Sequence, residues 1–211
     1  MSYIRIKRCF DLVFSLIGLL LLAPLLLFIS IVIKIDSVGP ILYRQKRIGF
    51  HGRLLCLYKF RSMYQGSEKG GVYEKKLDAR VTRVGRIIRK TSLDELPQLL
   101  NILKGEMSFI GPRPVLINHP WPLREYSDEQ IKRFLVRPGV SGLAQIHGRK
   151  NLSWEERMKY DVQYVCHYSF QMDIKIFFLT IYKVLSMQDN YNQNQTAIRK
   201  EKESKLTSKN E

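Results

Sequence analysis

Thr91-Ser92-Leu93-Asp94-Glu95-Leu96-Pro97-Gln98-Leu99-Leu100-Asn101 is the stretch around which the rest of the chain arranges itself. Leu96, Leu99, Leu100 and Leu103 recur at helical spacing and make one apolar face, with Asp94, Glu95, Gln98 and Asn101 off it. The spacing predicts a helix. Proline has no backbone N–H and clashes with the carbonyl four residues earlier, so Pro97 belongs in the first turn and the helix is expected to begin close to Asp94. Two carboxylates then stand at a helix N-terminus, where the macrodipole keeps them ionised and unpaired N–H groups attract phosphate. An ionised Asp beside a phosphate site is a candidate nucleophile. The competing reading makes Ser92 and Glu95 a capping box and Asp94 a mere cap.

The chain of 211 residues suits one domain with an appendage, and 45% apolar residues is enough for a core. Its net charge of +16 is unevenly spread: residues 37–104 carry 15 Lys or Arg against 5 Asp or Glu, residues 105–188 only 11 against 8. The excess flanks the carboxylate pair and suits a polyanion such as anionic lipid headgroups, a nucleotide diphosphate or nucleic acid. Cys9, Cys56 and Cys166 match neither a disulfide framework nor a zinc spacing, which points to a reduced, cytoplasmic setting. His51, His119, His147 and His167 form no paired metal pattern, and Walker A, GxGxxG and DxD motifs are all missing.

Leu12 to Ile33 holds no charged residue, and about 20 apolar residues suffice to span a bilayer. The run is long for a cleaved signal peptide and no small-x-small site follows it. Pro24, preceded by Ala23, is expected to break or bend the helix. Basic residues lie on both flanks, Arg5, Lys7 and Arg8 before and Lys34, Arg44, Lys46 and Arg47 after, so a hairpin with both ends cytoplasmic satisfies the positive-inside rule better than a span.

Beyond it, Ile41 to Gln45 and Leu54 to Arg61, bounded by Gly39-Pro40, Gly49 and Gly52, read as a small β-hairpin. Lys59 and Arg61, two apart on a strand, share a face and suit a phosphate as well as they suit solvent. Ser62 to Asp78 reads as a mobile loop able to act as a lid. A helix over Ala79 to Lys90 sets Val81, Val84 and Ile88 against a basic stripe of Arg83, Arg86 and Lys90 that leads to Asp94 or rests on anionic lipid. Pro112 and Pro114 stiffen the loop presenting Arg113, and glycines between Arg137 and Arg149 allow close backbone approach. Ser153 to His167 starts with a cap signal and carries Tyr160, Tyr164 and Tyr168, an aromatic stripe of the packing kind, with Asp161 embedded in it. Asp173 to Met187 is too apolar for a small globule to bury and is expected in the membrane interface. From Gln188 onward the composition is that of a disordered tail.

Three segments carry a resemblance: KFRSM (Lys59 to Met63), RKTSLDELPQLLNILKGEMSFIGPRP (Arg89 to Pro114) and RPGVSGLAQIHGR (Arg137 to Arg149), in that order behind one hydrophobic segment. The chain closely resembles the bacterial sugar transferases, the monotopic phosphoglycosyl transferases, over about residues 1 to 188. The resemblance implies that Asp94 attacks the β-phosphate of a UDP-sugar, that UMP leaves, and that undecaprenyl phosphate takes up the sugar phosphate from the enzyme. This is the first membrane step of glycoconjugate or polysaccharide biosynthesis. Lys59, Arg61, Arg83, Arg86 and Arg113 are the candidate cations, with Mg²⁺ bridging Asp94 or Glu95 to the phosphates, and Glu95 is expected either to bind that metal or to act as general base toward the acceptor. In the family the two Pro, Arg and Gly loops serve nucleotide-sugar binding, which implies roles for Arg113, Arg137, Gln145 and Arg149. The family's Tyr-Asp pair implies one for Asp161.

The resemblance also implies a re-entrant helix broken at a Ser-Pro pair, where Ala23 replaces the Ser. The expected fold is α+β and mainly helical: a re-entrant membrane helix (1–36), a catalytic domain (37–188) with interfacial amphipathic helices and a small β-hairpin, and a disordered tail (189–211). Expected partners are the UDP-sugar, undecaprenyl phosphate and membrane lipids, not nucleic acid, with a homodimer left open. The expected location is the cytoplasmic face of the bacterial inner membrane, in a monotopic arrangement. A membrane-tethered nucleic-acid- or lipid-binding protein and a non-catalytic scaffold are the alternatives.

Overall fold

The structure, a computed structural model, describes residues 3–67, 78–117, 120–148 and 152–186. The chain opens with one helix, α1 (Tyr3–Asp36), of 34 residues, which at 1.5 Å per residue is about 51 Å long against about 30 Å of bilayer hydrocarbon. Pro24 lies inside α1 without interrupting it. The break expected at Ala23-Pro24 is therefore not made. Proline removes one ladder hydrogen bond, and the leucine-rich turns on either side keep theirs while packing on the globule, Leu19 and Leu22 before it, Leu25 and Leu26 after it.

One face of α1 follows the globule along its length. Tyr3 Oη and Lys7 Nζ donate to Asp173. Asp11 accepts from Ser108 Oγ (3.0 Å) and the Phe109 amide (3.1 Å). Arg8 donates to the Ile102 and Leu103 carbonyls at 2.7 and 3.1 Å. Ile29 and Ile33 are buried with Phe60 and Ile88. The outward face, with Leu20, Leu21, Leu27 and Phe28, stays exposed.

The expected hairpin forms from β1 (Leu42–Ile48) and β2 (Leu54–Phe60), antiparallel in register from Leu42↔Phe60 to Ile48↔Leu54. Next comes α2 (Arg83–Lys90), capped by Thr82 and tied to the end of α1 by the Val84 amide, which donates to Asp36. The helix expected from Asp94 divides: Leu93–Glu95 is a 3₁₀ turn, and α3 (Gln98–Lys104) starts only after Pro97, its N-cap. Pro97 has no N–H with which to carry a helical ladder on from Leu93, so the short turn closes through the Leu96 amide on the Leu93 carbonyl and the α-helix starts after the proline. Fully buried Asn101 docks α3 on β2. Its Oδ1 accepts the Tyr58 amide, and its Nδ2 donates to the Cys56 carbonyl and to Glu106.

A second, parallel pair was not foreseen from the sequence: β3 (Ser108–Ile110) beside β4 (Gly139–Ser141). Each has three residues, too short for alternation to register. A Cβ on Gly139 would lie 2.1 Å from the Gly111 nitrogen, so only glycine lets the two loops run this close. The remaining helices are α4 (Asp128–Ile131), α5 (Leu143–His147), α6 (Trp154–His167) and α7 (Phe170–Leu185). The Ser153–Glu156 capping box opens α6 as expected. Tyr164 is buried, with Tyr160 and Tyr168 packed on the same cluster, so the tyrosine stripe is core. From α7, only Asp173 and Ile176 are buried, while Phe177, Phe178, Ile181 and Leu185 are exposed. Phe10 of α1 meets Phe170 at 6.1 Å, joining the two exposed apolar faces. The expected tail, 189–211, and most of the expected lid loop lie outside the described residues.

A candidate active site around Asp94 and Glu95

Between α2 and the 3₁₀ turn the chain reverses through Ser92, whose φ of 60° places it in the left-handed region. Its side chain makes no cap hydrogen bond, so the capping box is not formed. Freed from capping, Glu95 turns to two cations. Lys59 Nζ, from β2, stands 2.7 Å from Glu95 Oε1 and 3.8 Å from Asp94 Oδ2. The Arg113 guanidinium forks onto Glu95, with Nη2 on Oε1 and Nη1 3.3 Å from Oε2, and Nη1 also donates to the Val140 carbonyl. Asp94 itself is buried, and among the described residues no hydrogen bond ends on its carboxylate.

The two carboxyls are pushed apart. Burial raises Asp94 above its ordinary value, against the pull of Lys59. Burial acts on Glu95 in the same sense, but Arg113 and then Lys59 outweigh it and hold that carboxyl well below its usual range. Glu95 is thus the fixed anion that organises the cations, and Asp94 the less solvated carboxylate left with room to react.

Several expected site residues lie elsewhere. Arg61 is buried at the end of α1, where Nη2 donates to the carbonyls of Ile33 (3.2 Å) and Ser37 (2.6 Å). A helix C-terminus leaves such carbonyls unpaired, and a guanidinium satisfies them. Arg137 does the same at the end of α3, donating to Gly105 O at 2.8 Å and lying over the Phe50 ring. Asp161 is sealed in the interior against Arg133, whose Nη2 is 2.7 Å from Oδ2. Arg83 and Arg86 lie on the exposed side of α2, paired with neither carboxylate among the described residues. Both amide atoms of Gln145 are buried without a partner there. Arg149 lies outside the described residues.

Three arginines not assigned to the site from the sequence lie around it. Arg89 acts electrostatically on Asp94 and donates to Ser62 Oγ at 3.1 Å. Arg47 donates to the Pro114 carbonyl, and its guanidinium is lowered to about 10 by burial and the nearby Arg113. Arg133 donates to the Arg113 carbonyl at 2.8 Å. The legible signal for Arg133 was Asp161: a carboxylate inside an apolar stripe demands a cation. Arg113 shares a small, open cleft with Pro112, Pro114, Arg133 and Phe134.

The described residues contain no cluster of three or more metal-binding side chains. The donor set nevertheless fits Mg²⁺, which is commonly held by one or two carboxylates together with substrate phosphates. Asp94 has oxygens to offer. Those of Glu95 are already taken by Arg113 and Lys59.

A helix long and apolar enough to cross a membrane lies along a small α+β globule that holds a carboxylate pair among cations, the combination of a membrane-associated protein. The chain belongs to the bacterial sugar transferase family, whose sequence model matches residues 2–187, and is a transferase. It is 43% identical over 181 residues to the "Uncharacterized sugar transferase EpsL" of Bacillus subtilis, covering 85% of this chain and 87% of that one. It is 40% identical over 183 residues to the UDP-glucose:undecaprenyl-phosphate glucose-1-phosphate transferase of Klebsiella pneumoniae, covering 84% of this chain and 39% of the relative. Identity to the undecaprenyl-phosphate galactose phosphotransferase of Salmonella typhimurium is 39% over 202 residues, covering 88% and 42%. The chain thus spans about two-fifths of the length of the latter two.

Proposed function

We propose that this protein moves a sugar phosphate from a UDP-sugar to undecaprenyl phosphate, releasing UMP, by a ping-pong route through an aspartyl phosphosugar intermediate. A carboxylate oxygen of Asp94 forms a bond to the β-phosphorus while the bond from that phosphorus to the bridging oxygen breaks, and the electron pair departs with UMP. An oxygen of the lipid phosphate then attacks the same phosphorus, and Asp94 leaves as the carboxylate. Neither displacement requires a proton from the nucleophile.

One observation carries this reading: of two adjacent carboxylates, Glu95 is engaged by Lys59 and Arg113, while Asp94 carries no hydrogen bond among the described residues. Two anions approach each other only if cations neutralise them, and Lys59 and Arg113 stand where the diphosphate would arrive. Mg²⁺ on Asp94 would add charge neutralisation at the phosphoryl oxygens. Glu95 acts by holding the two cations.

The lipid acceptor sets the location. Both ends of α1 are tied to one globule, at Asp173 and through Arg61, and its inner face is packed from Tyr3 to Ile33. A spanning helix would have its ends on opposite sides of the bilayer. Such a helix instead enters one leaflet, with the exposed face of α7 alongside it and the site at headgroup height on the cytoplasmic side of the inner membrane.

The test is intact-protein mass spectrometry of detergent-solubilised protein mixed with Mg²⁺ and UDP-glucose, UDP-galactose or their N-acetylamino counterparts, without lipid acceptor. The expected result is a mass increase of one sugar phosphate with the cognate donor, absent in Asp94→Asn. No adduct, with UMP release that depends on undecaprenyl phosphate, would mean direct transfer and remove Asp94 as nucleophile.

A further inference from the structure

The Pro112-Arg113-Pro114 loop has a single backbone N–H, that of Arg113, so it cannot be held by a main-chain ladder of its own. Its carbonyls are held instead, one after another. Pro112 O accepts from the Gly139 amide (2.9 Å) and Val115 O from the Ile48 amide (2.8 Å). Between them, Arg113 O accepts from Arg133 Nη2 (2.8 Å) and Pro114 O from Arg47 Nη1 (3.2 Å). Two main-chain donors thus fix the ends of the loop and two guanidinium groups fix its middle.

Arg133 is only 3% exposed. Its Nε and Nη2 both point at Asp161 Oδ2, at 3.2 and 2.7 Å, which leaves one orientation for the planar fork and aims Nη2 at the loop. The carbonyl it meets belongs to the residue whose side chain grips Glu95. A shift of that peptide carries the Arg113 guanidinium away from Glu95 and from the Val140 carbonyl. A buried ion pair is a poor stabiliser compared with apolar residues of the same volume. What apolar residues lack is a donor for this carbonyl.

We propose that Arg133, oriented by Asp161, is a positioning residue that sets the Arg113 guanidinium for the donor diphosphate; this rests on the transferase reading above. Arg133 touches no reacting atom and acts through Arg113.

The experiment is a double-mutant cycle read by steady-state UMP release with the cognate UDP-sugar and undecaprenyl phosphate, alongside thermal unfolding. Arg133→Lys keeps a charge for Asp161 but cannot hold it and reach the carbonyl together. It is expected to raise the donor KM about tenfold, with kcat within about threefold and the acceptor KM unchanged. In an Arg113→Ala background the same change is expected to leave the donor KM where Arg113→Ala put it, whereas a merely structural role adds the same factor in both backgrounds. Arg133→Met with Asp161→Leu is expected to keep the wild-type unfolding temperature and still show the raised donor KM. A wild-type donor KM in Arg133→Lys, or additive effects in the cycle, overturns the assignment. A wild type that turns over none of the donors overturns the transferase reading, and this assignment with it.

Discussion

Asp94 must be ionised to attack, and its carboxyl is raised by burial, so activity should rise with pH along a limb lying above the ordinary aspartate value of 3.8. Lys59 opposes that rise. Replacing it with the neutral, similarly shaped Met should move the limb further up by about one pH unit, read from the pH profile of kcat/KM for UMP release. A limb that stays put or moves down would show that Lys59 does not act on Asp94. Glu95 works with the opposite sign. Its depressed pKa contributes stability above its ordinary value of 4.5, and that contribution is lost as pH falls through the folded-state value. The sequence made this carboxylate pair legible, because two acids at a helix entrance amid basic residues is an uncommon pattern. It also led to Lys59 and Arg113. It did not reveal that Arg61, two residues from Lys59, serves the end of α1, because which carbonyls are left unpaired depends on where distant elements meet.

At the scale of elements, the bounding Gly and Pro residues found the hairpin, and cap signal and apolar spacing found α6 and α7, all long enough to carry a pattern. It failed where a few residues decide the geometry: the three-residue β3 and β4, and the turn at Ser92 that separates the carboxylates from α3. The approach of α2 to the chain before it is another such detail. A Cβ on Gly85 would fall 2.0 Å from the Ser62 carbonyl oxygen, on a helix whose Arg89 reaches the Ser62 hydroxyl. Alanine favours an isolated helix over glycine by about 1 kcal/mol. In this place Gly85→Ala is nevertheless expected to lower stability by about 1–3 kcal/mol, because backbone oxygen cannot yield as a flexible side chain does. Thermal unfolding checks the sign; a raised midpoint would show that α2 can draw back.

Across the whole molecule, α1 is part of the fold and not a detachable tether. It supplies Ile29 and Ile33 to one core cluster, lays Leu19 and Leu22 on another, and caps α3 through Arg8. A chain beginning after Asp36 would expose Phe60, Ile88 and Leu99 and leave the Phe109 amide and Ser108 hydroxyl without Asp11. Such a truncation is expected to aggregate even in detergent-free buffer at high salt, where a tethered soluble domain would elute as a single species in gel filtration. A monodisperse, active product would refute the integral role of α1. The apolar character of this helix could be read from composition alone, but its docking could not: Tyr3, Lys7 and Asp11 find their side-chain partners more than ninety positions away. Tyr3 and its partner Asp173 are separated by 170 residues. At about 5–20 residues per second, the ribosome needs roughly 10 to 30 seconds to make that second residue after the first. Until Asp173 is made, Tyr3 and Lys7 lack the carboxylate that receives them, so the packing of α1 is completed only when α7 arrives.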